Sequence, residues 1–439
     1  MDADAIVIGA GAAGLAAARS LVNRSLRVIV LEARDRIGGR VWSLPSGRAV
    51  VPAELGAEFI HGRAEQTMVL LREAGTAAID TGGESWTWRG NGDLQRVDDD
   101  FIPPARIFDG ARALGADESV DRFLRRLENE TAMRNAVEMA RAFVEGFEAA
   151  DPAIASVRAI EDELQSGVDF SSARPLGGYG PMFECLHEAC VAAGVQTCLS
   201  TAVQRVSWER GAVAVDTKNA SGESRTVRAR AAIVTLPVGV LRHRGDETEV
   251  TFEPDLPAHK REALEHLEMG HAIRVVLRFR TAFWEQLRDG RYRDAAFFRA
   301  SVQSFSAYWT QVPVRSELVV AWIGGPKANA LKATANEELI ERALDGFGAL
   351  FGEPALARRE FVGGVMRDWG GDAFARGAYS YVAVAGGNAR TVLASPVDDT
   401  LFFAGEATSS DGQGGTVNGA LETGERAAWE AAGALGVAG

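Results

Sequence analysis

The chain has 439 residues, 46% hydrophobic and 24% charged, a balance that suits a globular protein long enough for two or three domains. Its 60 acidic and 47 basic side chains leave a net charge of −13, which excludes the basic face of a nucleic-acid binder. That charge suits a solvated acidic surface and would also draw a cationic ligand. Cys185, Cys190 and Cys198 form no CxxC motif and accompany no histidine pair at ligand spacing, so we expect reduced thiols, no metal site and a cytoplasmic protein. Cys185 and Cys190 read as apolar fillers of one helix.

Residues 5–8, AIVI, predict a short buried strand that stops at a glycine. Gly9, Gly11 and Gly14 then spell G-x-G-x-x-G, with Ala13 inside the motif, and the following residues predict a helix with Leu15, Ala18 and Leu21 or Val22 on one face. LRVIVLE, residues 26–32, is a second buried strand that ends on Glu32. The apolar run from Ala5 to Ala18 has no basic residue before it and is too short for a bilayer, so neither an export leader nor an anchor is expected. AAIVTLPVGVL, residues 231–241, is interrupted by Pro237, and no membrane span is expected there.

The order strand, glycine turn, helix, strand, acid predicts a dinucleotide cradle. One glycine permits the tight turn, one lets backbone approach a pyrophosphate, and one lets the helix pack on the sheet. The helix N-terminus offers unpaired N–H groups to phosphate, and Glu32 is placed to accept hydrogen bonds from a ribose diol. Further along, Glu118 to Glu148 predicts helices, IRVVLRF (273–279) alternates as a strand should, and DDD at 98–100 predicts a solvated turn.

ARDRIGGR (33–40) follows the acid, AELGAEFIHG spans 53–62, and RPLGGYGPMFECL spans 174–186. STAVQRV (200–206), the 231–241 run and residues 252–284 come next. WGGDAFARGAYSYV (369–382) and LFFAGEATSSDGQGGTVNGALETGERAA (401–428) complete the set. Together these segments resemble the FAD-dependent amine oxidase family in the family's own order, the 53–62 loop in its polyamine-oxidase form. The resemblance implies an α/β fold: a Rossmann-like FAD-binding domain of the GR2 type with an inserted α+β substrate domain. The expected FAD-binding pieces are 1–85, 190–262 and 386–439, and the substrate pieces are 86–189, mainly helical, and 263–385.

By resemblance, Ala33, Arg34, Gly39 and Arg40 belong to the cofactor site, the Arg40 guanidinium neutralising the pyrophosphate. Gly56, Ala57 and Glu58 lie in the loop beside the flavin, the 174–186 segment opens a helix near it, and the Val203 backbone meets the adenine. Gly405 and Glu406 point toward the ribityl or phosphate region, and Gly415, Thr416 and Val417 offer backbone to the flavin pyrimidine. The C-terminal motif has no cysteine, so noncovalent FAD is expected.

The implied reaction turns a primary or secondary amine, polyamines included, into an imine by hydride transfer to flavin N5. O2 then accepts the electrons and gives H2O2. By the same resemblance Tyr379 forms one wall in front of the flavin and Trp369 packs beside its ring. Thr416 stands where monoamine oxidases have a second tyrosine. His61, one of six histidines, is placed to bond a substrate nitrogen. Arg274 occupies the position of a lysine that holds a water at N5, and it cannot act as a tunable base. Trp86, Trp88, Phe143, Trp284, Phe305, Trp309 and Trp322 are divided between pocket and core. The alternatives are an L-amino-acid oxidase with Arg274 on the carboxylate, an amine dehydrogenase, and a non-catalytic flavoprotein. A desaturase or porphyrinogen-type oxidase is disfavoured by the Trp369–Tyr379 motif, and a chromatin demethylase by the lack of a helical arm or basic tail.

Overall fold

The computed structural model describes residues 1–45, 51–90, 92–97, 106–166, 172–300 and 304–437. The acidic triplet at 98–100 lies outside them.

Ala5–Ile8 and Val28–Leu31 form the strands expected of them and pair in parallel, Ala5 opposite Val28. The full parallel sheet runs Gln196–Cys198, Val28–Leu31, Ala5–Ile8, Ala231–Val234, Leu401–Phe403. The strands at its centre are buried throughout, which is why their sequences are apolar runs without alternation. Helices Ala12–Val22, Gly180–Ala192 and Val417–Ala434 cover one face, with Leu15, Leu21, Phe183 and Leu421 in that core. Ile6, Ile29 and Val234 on the other face pack with a four-stranded sheet that contains Thr201–Glu209.

A seven-stranded sheet forms the second unit, in the order Phe361–Asp368, Ala272–Phe279, Leu318–Gly324, Ala307–Trp309, Ala295–Arg299, Glu84–Gly90, Asp93–Val97. Helix Asn336–Phe351 packs on it, and Phe279, Trp284 and Phe347 meet there at ring centroid distances of 5.4–5.7 Å. Helices Val120–Leu127, Arg134–Gly146 and Val157–Leu164 bury a separate cluster around Val137, Phe143 and Ile160.

Within the mainly helical piece, Glu84–Gly90 and Asp93–Val97 pair as antiparallel strands, with Trp86 and Leu94 buried in the core of the large sheet. The helix Gly180–Ala192, assigned above to the substrate piece 86–189, packs against the first helix and contributes Met182, Leu186 and Cys190 to the nucleotide-domain core. We propose the two-unit division with that boundary moved back ahead of this helix. Among the described residues no helix is long and apolar enough to cross a membrane.

Candidate active site

The first strand ends at Gly9, whose φ of +109° is closed to ordinary side chains. A Cβ on Gly14 would stand 1.9 Å from the Gly9 carbonyl oxygen, so helix and turn can approach this closely only with glycine. No acid occupies the first turn of the helix, and its positive end faces the cavity beyond. Glu32 accepts hydrogen bonds from the backbone N–H groups of Ala10 (2.7 Å) and Arg34 (2.9 Å), which fix the carboxylate beside the cradle.

A cavity of about 800 Å³ runs from this cradle into the second unit. Its walls include Gly9, Gly11, Ala13, Glu32, Ala33, Arg34, Gly39, Arg40, Gly56, Ala57, Glu58 and Val203. They also include His61, Arg274, Trp369, Tyr379, Gly405, Glu406, Gly415, Thr416 and Val417. Of the residues expected from the sequence, Gly14 is absent from the walls, being spent on helix packing. The Gly177–Gly178 turn is absent as well. Its helix instead braces the 53–62 loop, Tyr179 N–H donating to Glu54 (2.8 Å) and Tyr179 OH to the Phe59 carbonyl (3.1 Å).

Arg40 donates through one nitrogen to Glu406 (2.8 Å) and to the Ala378 carbonyl (2.9 Å), and its other N–H groups remain for an anion. Arg34 lines the cavity. Its guanidinium pairs with Asp372 at 2.6 Å with both side chains nearly buried, which leaves the backbone of this residue for a cofactor. Glu406 would be pushed up by burial, but Arg40, Arg390 and Ser380 hold it below the usual carboxylate range.

The 53–62 loop runs flush against the first unit: a Cβ on Gly56 would lie 1.8 Å from the Arg40 carbonyl oxygen and 3.2 Å from the Trp369 ring. Trp369 is locked in turn by its indole N–H, which donates to the Leu55 carbonyl at 2.8 Å. Glu58 is the centre of a buried charge network. Its carboxylate accepts from Arg274, from Arg174 (2.7 Å), from the Trp309 indole (3.0 Å) and from Gln311 (3.3 Å). Burial alone would raise this carboxyl, but Arg274 and Arg174 outweigh it and hold it at about 2. The Glu58 side chain faces the two arginines, and the Arg274 charge is met by Glu58 rather than open to a substrate carboxylate.

His61 pairs its Nδ1 with Ser172 Oγ at 3.2 Å and meets the edge of Phe147 at 5.3 Å and Phe59 at 6.0 Å. Burial pushes it down to about 4, so the imidazole is neutral at physiological pH. The Tyr379 hydroxyl donates to the Phe147 carbonyl, and its ring faces Gly415. Thr416 is not a free wall group. Its hydroxyl caps the C-terminal helix, accepting from Gly419 N–H at 3.0 Å and donating to the Gln413 carbonyl at 2.8 Å. Phe143, Trp309 and Trp322 line the cavity, whereas Trp86, Trp284 and Phe305 are buried in the core of the large sheet and Trp88 packs against it.

Sequence reasoning missed several cavity residues. Thr235, Leu236 and Pro237 line it at the carboxyl end of a central strand, where open parallel sheets bind ligands; that position was the available signal. Phe147, Glu148, Glu163 and Phe297 also line it.

A family model described as flavin containing amine oxidoreductase matches residues 12–103 and 105–432. The chain belongs to that family. Its fold is α/β, and the glycine cradle, the positive helix end and Arg40 fit the FAD dinucleotide. Among solved structures, cyclohexylamine oxidase from Brevibacterium oxydans IH-35A superposes with a TM-score of 0.80 at 22% identity, over 99% of both chains. Putrescine oxidase bound to putrescine superposes with a TM-score of 0.79 at 23% identity, over 98% of both. These likenesses speak for the fold. Lysine-specific histone demethylase 1 homolog 2 of Oryza sativa subsp. japonica is 28% identical over 98% of the chain and 57% of its own length. The chain thus spans little more than half of that relative. Polyamine oxidase 2 of Arabidopsis thaliana is 29% identical over 96% of the chain and 86% of its own.

Proposed function

We propose that this amine oxidoreductase converts a small primary or secondary amine to the imine, with noncovalently held FAD and with O2 as final acceptor. The supporting observation is the single cavity that joins the glycine cradle to a desolvated aromatic end holding neutral His61, Trp309, Trp369 and Tyr379. Bound FAD supplies the two-electron acceptor for the hydride equivalent on the carbon beside nitrogen.

The residues of the chain do the rest. An alkylammonium keeps its proton up to about pH 10.4 in water, yet only the neutral amine can give up hydride. The aromatic end disfavours the charged form by desolvation, and neutral His61 accepts a hydrogen bond from the substrate N–H. Trp369 and Tyr379 are both pinned through hydrogen bonds to backbone carbonyls, so the walls that orient the reacting carbon are fixed before substrate arrives. The nitrogen lone pair closes the C=N bond as hydride departs, and water then hydrolyses the imine. An L-amino-acid substrate is disfavoured because the Arg274 charge is spent on Glu58. Three unpaired thiols suit the cytoplasm as the place of action.

The test is H2O2 production in air from monoamines, polyamines and L-amino acids by the purified flavoprotein. Amine-dependent peroxide is expected. Peroxide from L-amino acids only would overturn the reading.

A further inference from the structure

One wall of the cavity is fastened differently from the rest. Residues 369–379 connect the edge strand Phe361–Asp368 of the large sheet to the short strand Ser380–Val382. Trp369, Phe374, Ala378 and Tyr379 of this strap line the cavity. The ends of the strap are bonded outward through the backbone, Trp369 N–H to the Ala272 carbonyl (3.2 Å) and Ala378 N–H to the Gly270 carbonyl (2.8 Å). Between them, the backbone–backbone hydrogen bonds of 370–377 among the described residues stay inside the strap, as in Arg376 N–H to Asp372 (2.8 Å) and Gly377 N–H to Trp369 (2.8 Å). The 53–62 loop, another wall, is bonded outward through its backbone, Leu55 N–H to the Trp42 carbonyl (2.8 Å) and Ala57 N–H to the Arg40 carbonyl (3.2 Å).

Side chains therefore fasten the strap. Asp372 takes the Arg34 guanidinium at 2.6 Å and the Arg367 guanidinium as well, and its side chain is 2% exposed. Arg376 donates to Thr248 Oγ1 (2.7 Å) and to Asp246 (3.1 Å). Arg34 and Thr248 line the cavity, whereas Asp372, Arg367 and Asp246 do not. The strap also sits flush on helix Val238–Arg242, where a Cβ on Gly239 would lie 2.6 Å from the Arg376 carbonyl oxygen. Asp372 holds two cations together: burial, then the charge of Arg34, depresses Arg367. Without the carboxylate the two guanidiniums repel across the clasp.

We propose that this strap is a latch for the cofactor: FAD enters and leaves when residues 370–377 swing off the cavity, and the Arg34–Asp372–Arg367 clasp sets how often they do. The strap runs from Arg34, next to the cradle's Glu32, to the aromatic end at Trp369 and Tyr379, so one displacement uncovers the length of the dinucleotide site. Local opening begins where the backbone is bonded least to its surroundings, which singles out 370–377 among the walls. Gly370 and Gly371 at one end and Gly377 at the other are placed to absorb the rotation. A clasp acts differently from a cofactor contact. Losing a contact to FAD speeds release and leaves uptake alone. The clasp is made of protein groups only and closes whether or not FAD is bound, so loosening it speeds release and uptake together and leaves Kd nearly fixed.

The test measures FAD release from the loaded protein and FAD uptake by the stripped protein, both from flavin fluorescence, in wild type, Asp372→Asn and Arg367→Met. Both rates should rise in both variants. For Asp372→Asn the rise should be about ten- to hundredfold, the loss of a hydrogen bond between charged groups. Release that quickens while uptake stays at the wild-type rate, or rates unmoved in both variants, would overturn the latch. A second measurement needs no variant and stands even if both fail to fold. In FAD-loaded wild type, the amide hydrogens of 370–377 should exchange ahead of those of Leu55 and Ala57. Exchange at Leu55 and Ala57 together with the strap, or ahead of it, would overturn the latch, because another wall would then open as readily.

Discussion

Glu58→Gln probes the charge network that replaces a simple cofactor contact. The carboxylate is enclosed and meets four donors, two of them arginines with side chains 3% and 8% exposed. Glutamine keeps the volume but strips the anion that both buried guanidiniums share. Breaking a buried pair in this way costs about 3–5 kcal/mol. Unfolding entropy of about 2.1 cal/mol/K per residue makes one kcal/mol worth roughly one degree for a chain of this length, so Tm should fall by about 3–5 °C. Arg274→Met should cost less, because Glu58 then keeps Arg174, Trp309 and Gln311. The assay is calorimetric melting of the flavin-loaded proteins at pH 7 and again at acid pH. With its folded value depressed to about 2, Glu58 contributes stability that is present above its unfolded value near 4.5 and lost as pH falls toward 2. The gap between wild type and Glu58→Gln should close over that window. A Glu58→Gln protein melting within about a degree of wild type at pH 7, or Arg274→Met melting lower than Glu58→Gln, would refute the reasoning.

Three further outcomes are expected. Gly14→Ala places a methyl 1.9 Å from the Gly9 carbonyl oxygen and should yield protein with little bound flavin, read from visible absorbance against protein concentration. His61 sits at about 4, so the pH profile of amine-dependent kcat/KM should show no ionisation near 6.5 that disappears in His61→Gln. Acid precipitation should leave the flavin in the supernatant, because no cysteine stands in the 401–428 motif; flavin in the pellet would contradict noncovalent binding.

What the sequence disclosed was what local chain geometry determines. The cradle is one strand, one turn and one helix, and Gly9, Gly14 and Glu32 are separated by few enough residues to read directly. The motif loops likewise carried His61, Trp369 and Tyr379 to the cavity wall. Residues that act through distant partners were illegible. Glu58 meets Arg174, Trp309 and Gln311 across 116, 251 and 253 positions of sequence, and no spacing rule reaches that far. The Arg34 side chain pairs with Asp372, 338 positions away, and no local pattern announces that pairing. Glu148 and Glu163 stand in no motif, and only the packing of the helical cluster brings them to the cavity wall.

The most direct test of amine oxidation mixes the flavin-loaded protein with 1,4-diaminobutane, butylamine and L-amino acids in the absence of oxygen, following visible absorbance, and then readmits air. Bleaching by an amine, with recovery of colour and formation of H2O2 in air, is the predicted result. A flavin that stays oxidised with every amine would contradict it.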